Sequence, residues 1–248
     1  MTQAATLTVI IPCHQLDDRF LKAIESAQWA ERVLVIDQNS KIHSSELKKK
    51  YHFDVIQHPH LTSFSNMKNQ ALKEVTTEWV FFLDSDEYIT RTLAEEARKN
   101  IQMTNENAFE IRRVDIFLNK VIFHGETRSA NFIRLVKKGK GEWRGKVHEY
   151  IQLTHHSSKI GKLKSPLYHE PHKSIFEFIQ KINLYTSLLA TQGKEQRVLL
   201  KSLVLPAGKF IYTFVIKQGF LDGYRGLIYS FIMAIHSSVV RIKRYEAQ

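Results

Sequence analysis

The sequence predicts an α/β fold, a mostly parallel sheet flanked by helices with a helical C-terminal extension, and three observations carry that prediction. Apolar, β-branched or aromatic runs recur through the first half (LTVII at 7–11, VLVI at 33–36, WVFFL at 79–83). They are apolar at both parities, as strands buried on both faces require. Between them lie segments whose apolar residues recur at helical spacing. The runs also stop on similar punctuation, at Pro12, Asp37 and Asp84. Short strands alternating with helices of about ten residues imply right-handed βαβ crossovers. Ligands of such sheets bind at the carboxyl ends of the strands, where all three stopping residues are expected.

Taken in order, Leu7–Ile11 is the first strand, stopped by Pro12. Asp17 and Asp18 then precede Phe20, Leu21, Ile24 and Ala27, a helix behind an N-cap candidate. Val33–Ile36 is the second strand, ending at Asp37, and Ser44 or Ser45 can cap a short helix through Lys50. Phe53–Ile56 reads as a third strand. Ser65 can cap a helix carrying Met67, Ala71, Leu72 and Val75, and Trp79–Leu83 is the fourth strand, ending at Asp84. Thr92 can cap the next helix through Leu93, Ala97 and Ile101. From Ala108 the pattern turns to runs such as Phe109–Val114 and Phe132–Val136 around a His124-Gly125-Glu126 turn, expected as mixed or antiparallel additions to the sheet. After the Pro166–Pro171 stretch, Ile175, Phe176, Ile179, Ile182, Leu188 and Leu189 mark a long amphipathic helix with Glu177 and Lys181 as an i,i+4 pair. We expect a catalytic domain over 1–195 and a basic, aromatic helical extension over 196–248.

A chain of 248 residues with 43% hydrophobic content can bury a full core. Its one cysteine, Cys13, cannot close an intramolecular disulfide, and residues 1–6 lack the basic and apolar stretches of a secretory signal, so a cytoplasmic setting is expected. The longest apolar runs, such as Leu227–Ile235, fall short of the roughly 20 residues a spanning helix needs. The net charge of +11 is unevenly placed. Residues 1–125 hold 15 Lys and Arg against 17 Asp and Glu, and residues 126–248 hold 21 against 8. A basic C-terminal half suits a phosphorylated substrate, an anionic membrane surface or nucleic acid. Zinc-finger spacing, homeodomain-like patterns and ribonucleoprotein aromatics are all missing from the sequence, so a nucleic-acid partner is not expected.

Asp84-Ser85-Asp86 carries the most chemistry. Two carboxylates at i and i+2 past a buried strand can face one cleft and present oxygens to Mg²⁺ or Mn²⁺. Such a cation neutralises the charge that develops on a diphosphate leaving group. Taken alone, the triplet could equally be a solvated acidic turn. An apolar strand followed by Asp-x-Asp also opens the site of haloacid-dehalogenase-like phosphatases. That pattern wants Thr or Val where Tyr88 stands, a place near the chain start, and a later Gly-Asp pair, which this sequence lacks.

TVIIP at Thr8–Pro12, VLVID at Val33–Asp37, NMKNQAL at Asn66–Leu72 and WVFFLDSDEYI at Trp79–Ile89 together resemble the family 2 glycosyltransferases of the GT-A fold, over roughly residues 7–190. EWRGKVHEYI at Glu142–Ile151 and GFLDGYRGL at Gly219–Leu227 are similar to the bacterial lipopolysaccharide inner-core glucosyltransferases within that family. The resemblance implies an inverting, metal-dependent transfer of a hexose, glucose from UDP-glucose, onto a heptose of the lipopolysaccharide core at the inner face of the inner membrane. It implies that Asp37 accepts the uracil N–H, that Pro12 shapes the base pocket and that Lys68 lies near the nucleotide. Asp84 would bind ribose or metal, Asp86 the metal, and His169 the metal or diphosphate. The sequence departs from the family pattern at His14-Gln15, where an aromatic-Asn pair is usual, and at Ile42, where an Asp is expected.

Glu149 would be the catalytic base by the same resemblance. An inverting transferase needs one carboxylate to take the proton of the attacking hydroxyl. The competing reading is a surface Glu paired with Lys146 or Arg144. Cys13, beside a strand end, reads as a packing cysteine rather than a nucleophile. Phe210–Tyr245 interleaves aromatics with Lys and Arg, which suits helices in an anionic membrane interface; a cap over the site or a dimer seam would use the same residues.

Overall fold

The structure, a computed structural model, describes residues 4–38, 45–58, 63–127, 131–145, 149–155, 157–191 and 198–247. The first strands and helices are β1 (Leu7–Cys13), α1 (Asp18–Ser26), β2 (Arg32–Asp37), α2 (Ser45–Lys50), β3 (Asp54–Gln57), α3 (Phe64–Lys73) and β4 (Trp79–Phe82). Strands β3-β2-β1-β4 lie side by side and parallel, as the sequence predicts. Alternation explains why both parities are apolar. Leu7, Val9, Ile11, Val33 and Val35 pack on one face with Phe20 and Ile24 of α1. Ile10, Leu34 and Ile36 pack on the other with Met67 and Ala71 of α3.

Pro12 does not stop β1, which continues in register with β2 to Cys13 opposite Asp37. The Leu83 N–H donates to the Ile10 carbonyl at 3.0 Å, so β1 turns Ile10, and two residues on Pro12, toward β4. There β4 has already ended, and the missing proline N–H removes no ladder bond. Two caps also fall two residues earlier than expected. Ser63, not Ser65, caps α3 by accepting from the Asn66 N–H. Thr90, not Thr92, caps α4 (Arg91–Gln102) through the Leu93 N–H. In both cases a run of hydroxyls offered several candidates, and only the extended φ and ψ of Ser63 and Thr90 aim the side chain at the helix end. Ser44 lies outside the described residues.

Beyond β4 the sheet is completed by β5 (Glu87–Tyr88), β6 (Ala108–Phe117), β8 (Asn131–Lys137) and β11 (Ile160–His169), in the order β4-β8-β6-β11-β5. The β4–β8, β8–β6 and β11–β5 pairs are antiparallel. A separate antiparallel pair joins β9 (Gly141–Arg144) to β10 (Tyr150–Leu153). A strand the sequence did not signal, β7 (Lys120–Ile122), folds back on β6 through Leu118 and Asn119. Both turn residues have positive φ, 49° and 59°, the geometry of a two-residue hairpin. Without Gly or Asp-Gly there, the turn is hard to read.

The chain forms two compact units, residues 1–113 with 131–169, and residues 114–130 with 170–248, a division different from the 195/196 boundary drawn on composition. In the second unit α5 (Ile175–Ala190), α6 (Val198–Ile211) and α7 (Tyr224–Glu246) pack together. Phe178 and Ile182 of α5 meet Ile232 of α7 and Phe117 and Ile122 of the hairpin. Glu177 and Lys181 pair at 3.6 Å as expected. Pro206 sits inside α6 and cannot bond the carbonyl one turn back, at Ser202. The Ser238 hydroxyl of α7 donates to that carbonyl at 2.9 Å. A π-helical turn, Tyr212–Ile216, follows α6, and the Gly219–Asp222 turn leads into α7. There Asp222 accepts from the backbone N–H groups of Phe123 and His124 and meets the His124 ring Nδ1 at 3.1 Å.

Two glycines of this unit should respond to alanine in opposite directions. A Cβ on Gly226 would run into the Gly219 carbonyl oxygen, so Gly226→Ala should cost about 3 kcal/mol or more in denaturant unfolding. A Cβ on Gly208, inside α6, meets nothing within 4 Å, and Gly208→Ala should add about 0.5–1 kcal/mol.

Candidate active site

The carboxyl ends of β1, β2 and β4 bring Pro12, Asp37 and Asp84 to one edge of the sheet, as the strand pattern predicts. Asp37 is buried at the end of β2 and accepts from the Gln57 amide of β3 at 3.0 Å. Cys13 is fully buried, in keeping with a packing role.

Asp84 is gripped from two sides. Its Oδ1 accepts from Lys68 Nζ at 3.2 Å and its Oδ2 from Arg134 at 2.7 Å. Lys68 reaches it from α3, is itself buried, and has its ammonium 4.1 Å from the Trp143 ring centre. Burial alone would push the Asp84 carboxyl up, but the Arg134 guanidinium and the Lys68 ammonium outweigh it and hold Asp84 well below the usual carboxylate range. Asp84 therefore stays ionised and shares its charge with two cations.

Arg134 is the residue the sequence reading did not single out. It interrupts the apolar run FIRLV on β8. Phe109 of β6 pairs with Leu135, but Glu110 pairs with Ile133, so Arg134 is an extra residue on β8, a β-bulge. Bulges re-aim side chains at sheet ends. This one lies one residue past the last β4–β8 pair, Phe81 with Leu135, and turns its guanidinium onto Asp84 and, at 2.6 Å, onto Glu87. Glu87 is completely buried; it also lies 3.7 Å from Arg113 and accepts from the Asp84 N–H. Burial pushes the Glu87 carboxyl up. A lone Arg in an otherwise apolar strand was the available signal, since such a residue is rarely fully buried without a carboxylate partner.

Asp86 faces a different neighbour. β11 pairs with β5 in the register Tyr168 to Tyr88 and His169 to Glu87, with the two tyrosine rings stacked at 5.2 Å. That zipper places His169 Nε2 3.4 Å from Asp86 Oδ2. Among the described residues no group of three His, Cys, Asp or Glu forms a complete metal cage. A carboxylate and an imidazole with positions left over still fit a cation of the Mn²⁺ or Mg²⁺ kind, which characteristically completes its shell with substrate phosphates and water.

Glu149 joins this cluster through α3. Asn69 exchanges two hydrogen bonds with the Trp143 backbone, at 2.9 and 2.8 Å, and the Ser65 hydroxyl donates to the Gly145 carbonyl. The end of β9 and Gly145 are thus fastened to α3, and Glu149 Oε2 lies 3.7 Å from Lys68 Nζ. Its partner is Lys68 rather than Arg144, which pairs with Glu142. Lys146, Val147 and His148 lie outside the described residues. Glu149, Asp84, Lys68 and Arg134 line one open cavity of about 320 Å³ that continues past Phe132 and Tyr150. It is a polar cleft with an acid–base candidate on one wall and a cation-buffered carboxylate on the other.

A parallel sheet extended by antiparallel strands, with a charged cleft at its carboxyl edge, is the architecture of the GT-A glycosyltransferases, and the comparisons agree. The chain belongs to glycosyltransferase family 2: the glycosyl transferase family 2 model matches residues 8–155. The chain is 23% identical over 248 residues to the lipopolysaccharide core biosynthesis glycosyltransferase LpsC of Rhizobium meliloti, covering 92% of this chain and 90% of that one. It is 24% identical over 233 residues to an uncharacterized glycosyltransferase of Rickettsia typhi, covering 87% and 78%. Among solved structures it is similar in fold to the mannosyltransferase PcManGT of Pyrobaculum calidifontis in complex with GDP-Man and Mn²⁺, with a TM-score of 0.56 at 13% identity, covering 98% and 88%.

Removing Arg134 takes away the guanidinium bonded to Glu87 at 2.6 Å and leaves Arg113, at 3.7 Å, beside the buried carboxylate. Arg134→Met should therefore destabilise the protein by about 3–5 kcal/mol in urea unfolding, and Arg134→Lys by less, because the charge stays. Since the folded-state pKa of Asp84 is depressed, its contribution is present above pH about 4 and is lost as the pH falls below that. Asp84→Asn should flatten that acid limb.

Proposed function

We propose that this glycosyltransferase moves a hexose, glucose from UDP-glucose, with inversion onto a heptose of the lipopolysaccharide inner core, at the cytoplasmic face of the inner membrane. The single observation that carries the chemistry is the convergence of Glu149, Lys68 and Asp84 on one cavity, with Asp86 and His169 paired beside it. Glu149 takes the proton of the acceptor hydroxyl as its oxygen attacks the anomeric carbon opposite the leaving diphosphate. Lys68, fixed between Asp84 and Glu149, sets a positive charge where the nucleotide's phosphates arrive. Asp86 and His169 would hold a divalent cation, Mg²⁺ or Mn²⁺, which when bound neutralises charge on the leaving diphosphate. Asp37 and Pro12 take the base and Asp84 the ribose side. The arginine on Asp84 keeps its carboxylate ionised and fixed in orientation.

The choice of a lipopolysaccharide-core acceptor is supported by the resemblance of the 142–151 and 219–227 segments and by the likeness to LpsC along nearly the whole chain. A lipid-linked or polysaccharide acceptor of another kind would use the same site. The choice of a uridine donor is supported by Asp37 at the end of β2.

Thermal-shift measurements with UDP, GDP, CMP and dTDP sugars, with and without Mn²⁺, should single out UDP-glucose with the cation present; stabilisation by GDP-mannose instead would replace the donor. Asp86→Ala should abolish cation-dependent transfer while leaving the melting curve unchanged, and near-normal turnover would remove Asp86 from the metal site. Glu149→Gln should lower kcat by roughly 10² to 10⁴-fold with donor affinity retained. A collapse of UDP affinity instead would make Glu149 a donor ligand.

A further inference from the structure

The helical unit is unusual in how much large apolar side chain it leaves uncovered. On α7, Tyr224, Leu227, Phe231, Ile235 and Ile242 are all exposed, at a spacing that draws one stripe along the helix. The adjoining side of α7, through Ile228, Tyr229, Ile232 and Met233, is the side that packs into the core with α5. On α6 and the π-helical turn, Val204, Ile211, Val215 and Ile216 are exposed as well. The two sets are continuous. Pro206, Phe210 and Ile211 of α6 and Phe231, Ala234 and Ile235 of α7 line one shallow apolar groove of about 540 Å³.

The charge at the rims says what covers this face. Residues 198–248 hold seven Lys and Arg, and their acids are Asp222 and Glu246. Asp222 is taken up by the Phe123 and His124 backbone. One end of the stripe carries Lys217 over the Tyr212 ring and Arg225 over the Tyr224 ring, at 5.3 and 4.4 Å. At the other end of α7, Lys243 donates to Asn183 and Ser187 and Arg244 to the Leu189 carbonyl, so those cations are turned onto α5 and the basic rim is the Lys217 and Arg225 end. Tyrosines and cations bordering an apolar stripe match a lipid interface, where aromatic and basic side chains sit at headgroup level and apolar ones reach the acyl boundary. A second copy of the chain fits less well, because a self-complementary contact sets this basic segment against itself with almost no carboxylate to neutralise it. Among the described residues no helix is long and apolar enough to cross a membrane, so the contact is made along the surface.

We infer that the exposed face of α6 and α7 lies on an anionic phospholipid surface, with α7 in the plane of the interface. At 1.5 Å per residue its contact is about 35 Å long. This deepens the proposed reading by naming the surface that meets the membrane, and it is tested without any sugar donor, so failure of the donor or acceptor assignment leaves it standing. The full chain is sedimented with phosphatidylcholine vesicles and with phosphatidylcholine vesicles containing phosphatidylglycerol. Binding should favour the phosphatidylglycerol vesicles, weaken as salt is raised, and fall about tenfold or more in Phe231→Ser and severalfold in Lys217→Glu. Met103→Ser, an exposed apolar residue outside this face, should bind as wild type. Unaltered melting curves of the variants show that folding is retained. Equal binding to both vesicle types, or none, overturns the inference. So does a concentration-dependent dimer, seen by light scattering, that Phe231→Ser dissociates, since that assigns the face to a second copy.

Discussion

The site rests on the position of one buried cation. Arg134 places a guanidinium between a partly exposed carboxylate, Asp84, and a fully buried one, Glu87. Burying Glu87 ionised would be prohibitive without a hydrogen-bonded opposite charge, and burying Arg134 without acceptors would be as costly. Each therefore requires the other. Because Glu87 also accepts the Asp84 N–H, the turn that carries the Asp84-Ser85-Asp86 triplet is fixed both by side chain and by backbone. The field from Arg134 and Lys68 keeps Asp84 ionised, and Asp86, two residues on, is turned toward His169 instead. The two aspartates thus have different nearest partners, although the charge of Arg134 reaches both.

That arrangement depends on irregularities in otherwise regular strands. A bulge on β8 frees Arg134 from the alternation that would keep it in the ladder, and the short β5 strand exists to pair with the end of β11. Helix α3 does a comparable service on the other wall, where Asn69 and Ser65 fasten Trp143 and Gly145 at the end of β9 and Lys68 meets Glu149. The polar residues of NMKNQAL are accordingly split between building the wall and lining it.

The helical unit obeys a different constraint. Its helices pack closely enough that Gly226 has no room for a methyl group, and a proline inside α6 is tolerated because Ser238 satisfies the freed carbonyl. It nevertheless leaves a long apolar stripe outside the packed core. Within this unit close packing and exposed apolar surface coexist on adjoining sides of the same helix, which marks the stripe as a surface for something outside the chain rather than as an incomplete core.

What the sequence by itself determined was everything written in local periodicity. Short β-branched and aromatic runs apolar at both parities fit doubly covered strands, so the parallel core and the alignment of Pro12, Asp37 and Asp84 at its carboxyl edge were legible, as was the family through its ordered segments. Cap positions were legible only to within two residues, because several hydroxyls stand in a row and backbone dihedrals choose among them. The hairpin through Leu118 and Asn119 was hidden because only Asn119 favours the positive φ its turn needs, while Leu118 gives no turn signal. Only the tertiary structure decided which side chains meet: Arg134 with Asp84 and Glu87, His169 with Asp86, Lys68 with Glu149. These pairs are 50, 47, 83 and 81 positions apart. Their contact depends on sheet register and on a bulge, and no periodicity in one segment encodes the register it will take against another.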